Sequence, residues 1–209
     1  MITVSGHALG RAIRRVNHAR LHQERHARPI LDTIHLELYP VGWLRLVAAD
    51  NYRLAVADVL IEPTEAGPPY EFGPFNLMGD DVARLLAFLP TDHSRVQLET
   101  RTDVAKGPTI VLTVPGVSRS ITLRGMDGTY PAYAQIIAEK GPTGTPIAVN
   151  IRYLREVGGR TAKGDHVHFG DTVTVTVGRP DRMFVVADEK DHFTEYIMPV
   201  RQDPKETQR

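Results

Sequence analysis

Hydrophobic and polar positions along this chain follow two rhythms, and the first gives way to the second three times. A short alternating stretch at residues 2–5 leads into Leu9, Ile13 and Val16, spaced as on one face of a helix. The same change recurs at 75–77, followed by Val82, Leu85, Leu86 and Leu89, and at 147–150, followed by Ile151, Leu154 and Val157. Each helix start has groups suited to its unpaired N–H ends: Ser5, Asn150, and the acids Asp80 and Asp81 behind Gly79. Gly158 and Gly159 stop the third helix, and Pro90 follows the second.

Period-two segments come after each helix. Residues 44–47 lead through a turn to 54–57, and 109–114 turn at Pro115-Gly116 into 118–123. Residues 172–177 turn at 178–181 into 183–186. The pattern predicts three βαβββ units that start about 72 residues apart. The fold class is therefore α+β, with antiparallel sheets and short helices that each bury one face on a sheet. Breaks fall at 63–70 and 139–145. The second is the better candidate for a domain boundary, parting 1–138 from 145–201 across a linker at 139–144, and the polar 202–209 form a disordered tail.

Composition narrows the function. The 209 residues suffice for a real core, and 25 basic residues balance 25 acidic ones. A uniformly basic nucleic-acid coat is excluded, but a protein with one basic face is not. The absence of cysteine removes disulfides, thiolate zinc sites and a thiol nucleophile. No apolar run approaches the roughly 18 residues of a membrane span, and the first residues carry no signal-peptide pattern. A cytoplasmic protein is expected, with no membrane partner.

Catalytic chemistry is not apparent. The segment 158–164 has glycines and a lysine, but it follows a helix instead of opening one, so it reads as a plain loop. His18, His22 and His26 recur every four residues without a carboxylate on their face, and His166 and His168 share one face of a strand. No serine sits in a nucleophile elbow. The reading is a binding protein, not an enzyme, with no catalytic residue, metal or cofactor.

The charge is uneven. Residues 7–28 hold six arginines against Glu24 alone. With Leu9, Ile13 and Val16 inward, Arg11, Arg14, Arg15 and His18 fall on the outer face, and Arg152 and Arg155 extend the pattern to the third helix. Guanidinium groups at helical spacing suit nonspecific contact with the phosphates of double-stranded DNA. No aromatic residues are interleaved for stacking on single strands.

Four segments then make the chain recognisable. Val47-Ala48-Ala49-Asp50-Asn51-Tyr52-Arg53-Leu54-Ala55 resembles the Ala-Thr-Asp-Gly-His/Tyr-Arg-Leu-Ala segment of bacterial sliding clamps, the β subunit of DNA polymerase III. Asp127-Gly128-Thr129-Tyr130-Pro131-Ala132-Tyr133 is similar to that family's Asp-Gly-x-Phe/Tyr-Pro-x-Tyr stretch. Asn150 to Val157 resembles its Asn-x-x-Tyr-Leu-x-x-Val helix, and Tyr196-Ile197-Met198-Pro199-Val200-Arg201 its Met-Pro-x-Arg ending. The order is the family's own. By this resemblance, residues 1–138 correspond to the middle clamp domain and 145–201 to the second half of the last.

The resemblance implies a non-enzymatic replication and processivity factor with a hydrophobic groove between middle and last domains. That groove takes short linear motifs of polymerases and other replication or repair proteins. Carried over by position, its residues are Leu31 on the strand after the first helix, then Ala49, Asn51, Tyr52, Arg53 and Leu54. Pro131, Gln135 and Ile136 follow from the linker, and Tyr196, Met198 and Pro199 from the C-terminal end. Ala49, Asn51 and Gln135 stand where the family has Thr, Gly and a basic residue, departures that bear on motif preference. Family rings hold twelve βαβββ units, so a homo-oligomer is implied: a dimer rebuilt through the half domain, with four chains for a closed ring. The alternative is a clamp-fold interaction module that recruits or regulates replication or transcription proteins without encircling DNA.

Overall fold

The computed structural model describes residues 1–21, 28–39, 42–63, 70–103, 107–138, 174–176, 184–188 and 192–198. Strand β1 (Ile2–Ser5) runs into helix α1 (Gly6–Asn17). At the junction Ser5 keeps an extended backbone, and its hydroxyl accepts the Ala8 N–H at 3.4 Å. Leu9, Ile13 and Val16 are fully buried, as their spacing predicts. Three antiparallel strands come next: β2 (Thr33–Tyr39), β3 (Trp43–Ala49) and β4 (Arg53–Leu60).

The second unit repeats this plan. Strand β5 (Phe75–Met78) passes through a 3-10 turn at Gly79–Asp81 into α2 (Val82–Phe88), then β6 (Arg95–Asp103), β7 (Gly107–Val114) and β8 (Arg119–Arg124). The expected turn at Pro115-Gly116 is present, with Gly116 at φ 88°, a left-handed conformation that a Cβ would strain. A short helix α3 (Tyr133–Ala138) comes next. Of the third unit, β9 (Thr174–Thr176), β10 (Phe184–Asp188) and β11 (Phe193–Ile197) are described. Its expected opening strand and helix at 147–157, the linker at 139–144 and the tail at 202–209 lie outside the described residues.

The two complete units exchange their first strands. β1 pairs with β6, giving a four-stranded sheet in the order β1-β6-β7-β8, while β5 pairs with β2. The other sheet has seven strands, β5-β2-β3-β4-β11-β10-β9, because β11 joins antiparallel to β4. Neither helix rests on its own unit alone; α1 and α2 pack together in one core that spans both sheets. Gly125 lies close to the Phe75 ring, where a Cβ would stand 2.5 Å from a ring carbon. Among the described residues no helix is long and apolar enough to cross a membrane.

The β4–β11 pairing decides which C-terminal side chains reach each face of this sheet. Leu54 lies opposite Tyr196 and Ala57 opposite Phe193, so the C-terminal strand extends both faces of the first unit's sheet. Phe193, Glu195 and Ile197 turn inward towards α1, and Tyr196 turns to the outer face.

Candidate functional site

On that outer face a second, smaller apolar cluster joins Val47, Leu54, Val56, Tyr130, Tyr133, Val185 and Tyr196. It exists because the segment leading into α3 crosses the sheet and covers what would otherwise be a solvated face. Beside it opens a groove of about 270 Å³. Leu31, Ala49, Asn51, Arg53, Leu54, Pro131, Tyr196 and Met198 line it, all expected from the resemblance, together with Arg28, Asp50, Tyr130 and Tyr133.

Asp50 shapes one end. One of its carboxylate oxygens, Oδ1, accepts the backbone N–H groups of Tyr52 (2.7 Å) and Arg53 (2.9 Å), which closes a tight turn between β3 and β4. Its other oxygen accepts from Arg53 Nε at 3.2 Å, and Arg53 donates again to the His18 carbonyl at 2.7 Å. Arg53 is thus a buried brace that ties the turn to the C-terminal end of α1. Across the strand boundary Met198 N donates to the Tyr52 carbonyl at 2.7 Å, so the C-terminal strand is fastened to the same turn. The groove floor is buried, whereas Met198 is 42% exposed at the rim.

Other expected residues sit elsewhere. Tyr52 projects from the turn and is 56% exposed, and Gln135 is exposed on α3; neither lines the groove. Ile136 lies within α3, and its side chain and all of Pro199 fall outside the described residues. Leu31 is not on a strand. It sits in a 3-10 turn at Pro29–Asp32, which Pro29 opens and the Thr33 hydroxyl closes by donating to the Ile30 carbonyl. Tyr130 and Tyr133 stand in the family-like stretch 127–133, of which the resemblance assigns only Pro131 to the wall.

The expected DNA face needs correction. Arg11 is exposed and Arg14 half-buried on α1, but Arg15 is 1% exposed, with its guanidinium 5.3 Å from the centre of the Phe193 ring. His18 is largely buried, its Nε2 3.0 Å from Oε1 of the fully buried Glu195. The helix buries two stripes rather than one, because β11 presents Phe193 and Glu195 to the side that carries Arg15 and His18. Arg152 and Arg155 lie outside the described residues.

Burial pushes the phenol groups of Tyr130, Tyr133 and Tyr196 above their ordinary range; the nearby Asp50 charge adds to this at Tyr130, and the Glu37 hydrogen bond and charge at Tyr133. Below an unfolded phenol value of about 10 both states are neutral and pH does not matter. Above it the unfolded chain loses protons that the folded chain keeps, so stability falls as pH rises. Urea midpoints measured upward from about pH 9.5 should therefore decline, less steeply in Tyr130→Phe.

Solved structures share this architecture. The sliding clamp of DNA polymerase from Bacillus subtilis superposes with a TM-score of 0.70 at 16% identity, covering 97% of this chain and 64% of that one. The DNA polymerase III β subunit of Thermotoga maritima gives 0.71 at 17% identity, covering 97% and 66%. The sliding clamp of Pseudomonas aeruginosa gives 0.69 at 16% identity, covering 96% and 66%. No family model and no curated protein matches the sequence. The chain has the sliding-clamp fold in shortened form, spanning about two thirds of the length of the clamps it matches.

Proposed function

We propose, with the sliding-clamp fold as premise, that this protein is a non-enzymatic tether that holds a short linear motif of a DNA polymerase or another replication protein. The carrying observation is the groove itself: an apolar slot of about 270 Å³ whose walls come from β3, β4, the segment before α3 and the C-terminal strand. Leu31, Leu54 and Tyr196 supply burial for apolar side chains, and the turn braced by Asp50 and Arg53 fixes the slot's end. Preorganisation of this kind lowers the ordering cost of binding an extended peptide.

Met198 is the residue to test, because its exposed position separates binding from folding. Met198→Ala should weaken the clamp-binding peptide of a bacterial replicative polymerase by about 30-fold, as for a truncated hot spot, with an unchanged urea midpoint. Fluorescence anisotropy of the labelled peptide reads this directly. Equal affinity for both proteins would rule the groove out as the peptide site.

DNA contact is the second element of the reading, favoured by the outward positions of Arg11 and Arg14 on one helix. With two such groups per α1 the contact is electrostatic and weak, as sliding requires, and it reads no bases. Arg11→Glu with Arg14→Glu should abolish retention on double-stranded DNA at low salt and leave peptide affinity within about twofold. Retention that survives the double reversal would show that α1 does not make the DNA contact, and no retention by the unaltered protein would leave only the peptide-binding module. Assembly belongs to the same proposal: two chains pair through the third unit, and four bring the unit count to that of a closed ring. Light scattering across a concentration series distinguishes these states from a monomer.

A further inference from the structure

A second cleft, of about 440 Å³, shares Tyr130, Pro131 and Tyr133 with the groove and is lined on its other side by His35, Glu37 and Asn76. Its polar groups can be assigned one atom at a time. Asn76 Nδ2 donates to the carbonyls of Met126 (3.2 Å) and Gly128 (3.0 Å), which uses both amide hydrogens and fixes the orientation of the amide. Asn76 Oδ1 therefore faces His35 Nδ1, at 2.7 Å, as an acceptor, so Nδ1 carries a hydrogen. In the neutral ring the lone pair then lies on Nε2, and Nε2 is 3.5 Å from Glu37 Oε2.

Two acceptors thus converge in the lining of one cleft. The other Glu37 oxygen accepts from the Tyr133 hydroxyl. Arg45, which lies opposite Glu37 in the strand pairing, is held by both oxygens of Asp58, each at 2.7 Å, with its guanidinium over the Tyr39 ring and interacting with the Tyr133 hydroxyl, so it reaches only the oxygen end that Tyr133 already occupies. Around the acceptor pair, Tyr130 stacks on His35 at 4.8 Å and 12°, and Tyr133 meets it edge-on at 6.5 Å. A carboxylate among aromatic faces, next to the edge of an imidazole ring, is the chemistry that receives a cationic N–H donor.

We propose that this cleft binds the guanidinium or ammonium group of an arginine or lysine side chain, carried by the same partner segment that occupies the groove. The choice of that source rests on the groove reading, because Tyr130, Pro131 and Tyr133 form a wall common to both cavities and an extended segment in one reaches the other. Partner motifs with a basic residue beside the apolar anchor are then selected. The groups that face His35 are Glu37 on its own strand, Val47 and Arg45 on β3, Asn76 on β5, and the phenols of Tyr130 and Tyr133.

The test uses the full chain and two small probes, N-acetyl-arginine methylamide and its neutral counterpart N-acetyl-citrulline methylamide. In NMR titrations at about pH 8 the arginine probe should shift the His35 ring signals and bind about tenfold more tightly than the citrulline probe. That advantage should be absent in Glu37→Gln. Equal binding of the two probes, or shifts that avoid His35, would overturn the site irrespective of the groove. The source is then tested with two polymerase-motif peptides, one carrying an arginine and one an alanine next to the anchor. About tenfold preference for arginine, lost in Glu37→Gln, supports the shared segment; equal affinity overturns it. If neither peptide binds but the arginine probe does, the groove reading fails and the cation site stands.

Discussion

Replacing Glu195 with alanine is expected to destabilise the protein by about 3 to 5 kcal/mol. Glu195 is fully buried on β11, and its carboxylate meets His18 from α1 at 3.0 Å. Two residues earlier on the same face, Phe193 carries the buried Arg15 guanidinium. These contacts fill the seam between α1 and the C-terminal strand, which is otherwise joined to the first unit by the β4–β11 ladder and the Met198–Tyr52 bond. Removing the carboxylate leaves polar side chains in a space that water does not reach, and an uncompensated buried charge costs far more than an intact pair contributes. Glu195→Gln, which keeps an acceptor of the same size, should lose less. Urea denaturation gives the free energies, and faster amide exchange in β11 than in β2 would place the loss at the seam. A change below about 1 kcal/mol for Glu195→Ala would mean that the seam is held without this buried pair.

The second large effect is expected at Asn76, which lies outside the groove. Its side chain accepts from His35 and donates to the carbonyls of Met126 and Gly128, and so anchors the chain just before Tyr130 and Tyr133. Asn76→Ala leaves two carbonyls and one ring N–H to find new partners, at about 3 kcal/mol or more in total. Because the freed segment builds one wall of the groove, the polymerase-motif peptide should also bind about tenfold more weakly. The comparison with Met198→Ala is informative. Met198→Ala lowers affinity without a change in stability, whereas Asn76→Ala lowers both. A stable Asn76→Ala protein with unchanged peptide affinity would show that the wall stands without its anchor.

Much of the fold is legible in the sequence because local signals agree with tertiary demand. Ser5 before Leu9, Ile13 and Val16 specifies α1, and the alternation at 109–114 and 118–123 around Pro115-Gly116 specifies the β7–β8 hairpin to within two residues. The exchange of β1 and β5 between the two sheets is not legible, since alternation says which face of a strand is buried but not which neighbour it takes. Burial of Arg15 and His18 is equally hidden. Charged residues on a helix read as solvated, and the partner that reverses this for His18, Glu195, lies 177 residues away.

The groove shows the same division. Ala49 to Leu54 can be assigned because the segment resembles a known family's, and the Asp50-centred turn explains physically why it holds its shape. Tyr130 and Tyr133 belong to the wall for a reason that sequence patterns do not carry. Their linker segment lies across an outer sheet face that Val47, Val56 and Tyr196 make apolar. The pairing of His35 with Glu37 is hidden for the same reason, because only the position of Asn76 on β5 turns Nδ1 away and leaves Nε2 facing Glu37.

Whether the shortened clamp fold keeps a working peptide groove can be decided by amide hydrogen exchange of the full chain, with and without a saturating amount of the polymerase-motif peptide. Protection gained at residues 49–54 and 196–198, on both sides of the strand boundary, is the predicted result. Protection confined to other segments, or none at saturation, would contradict a working groove.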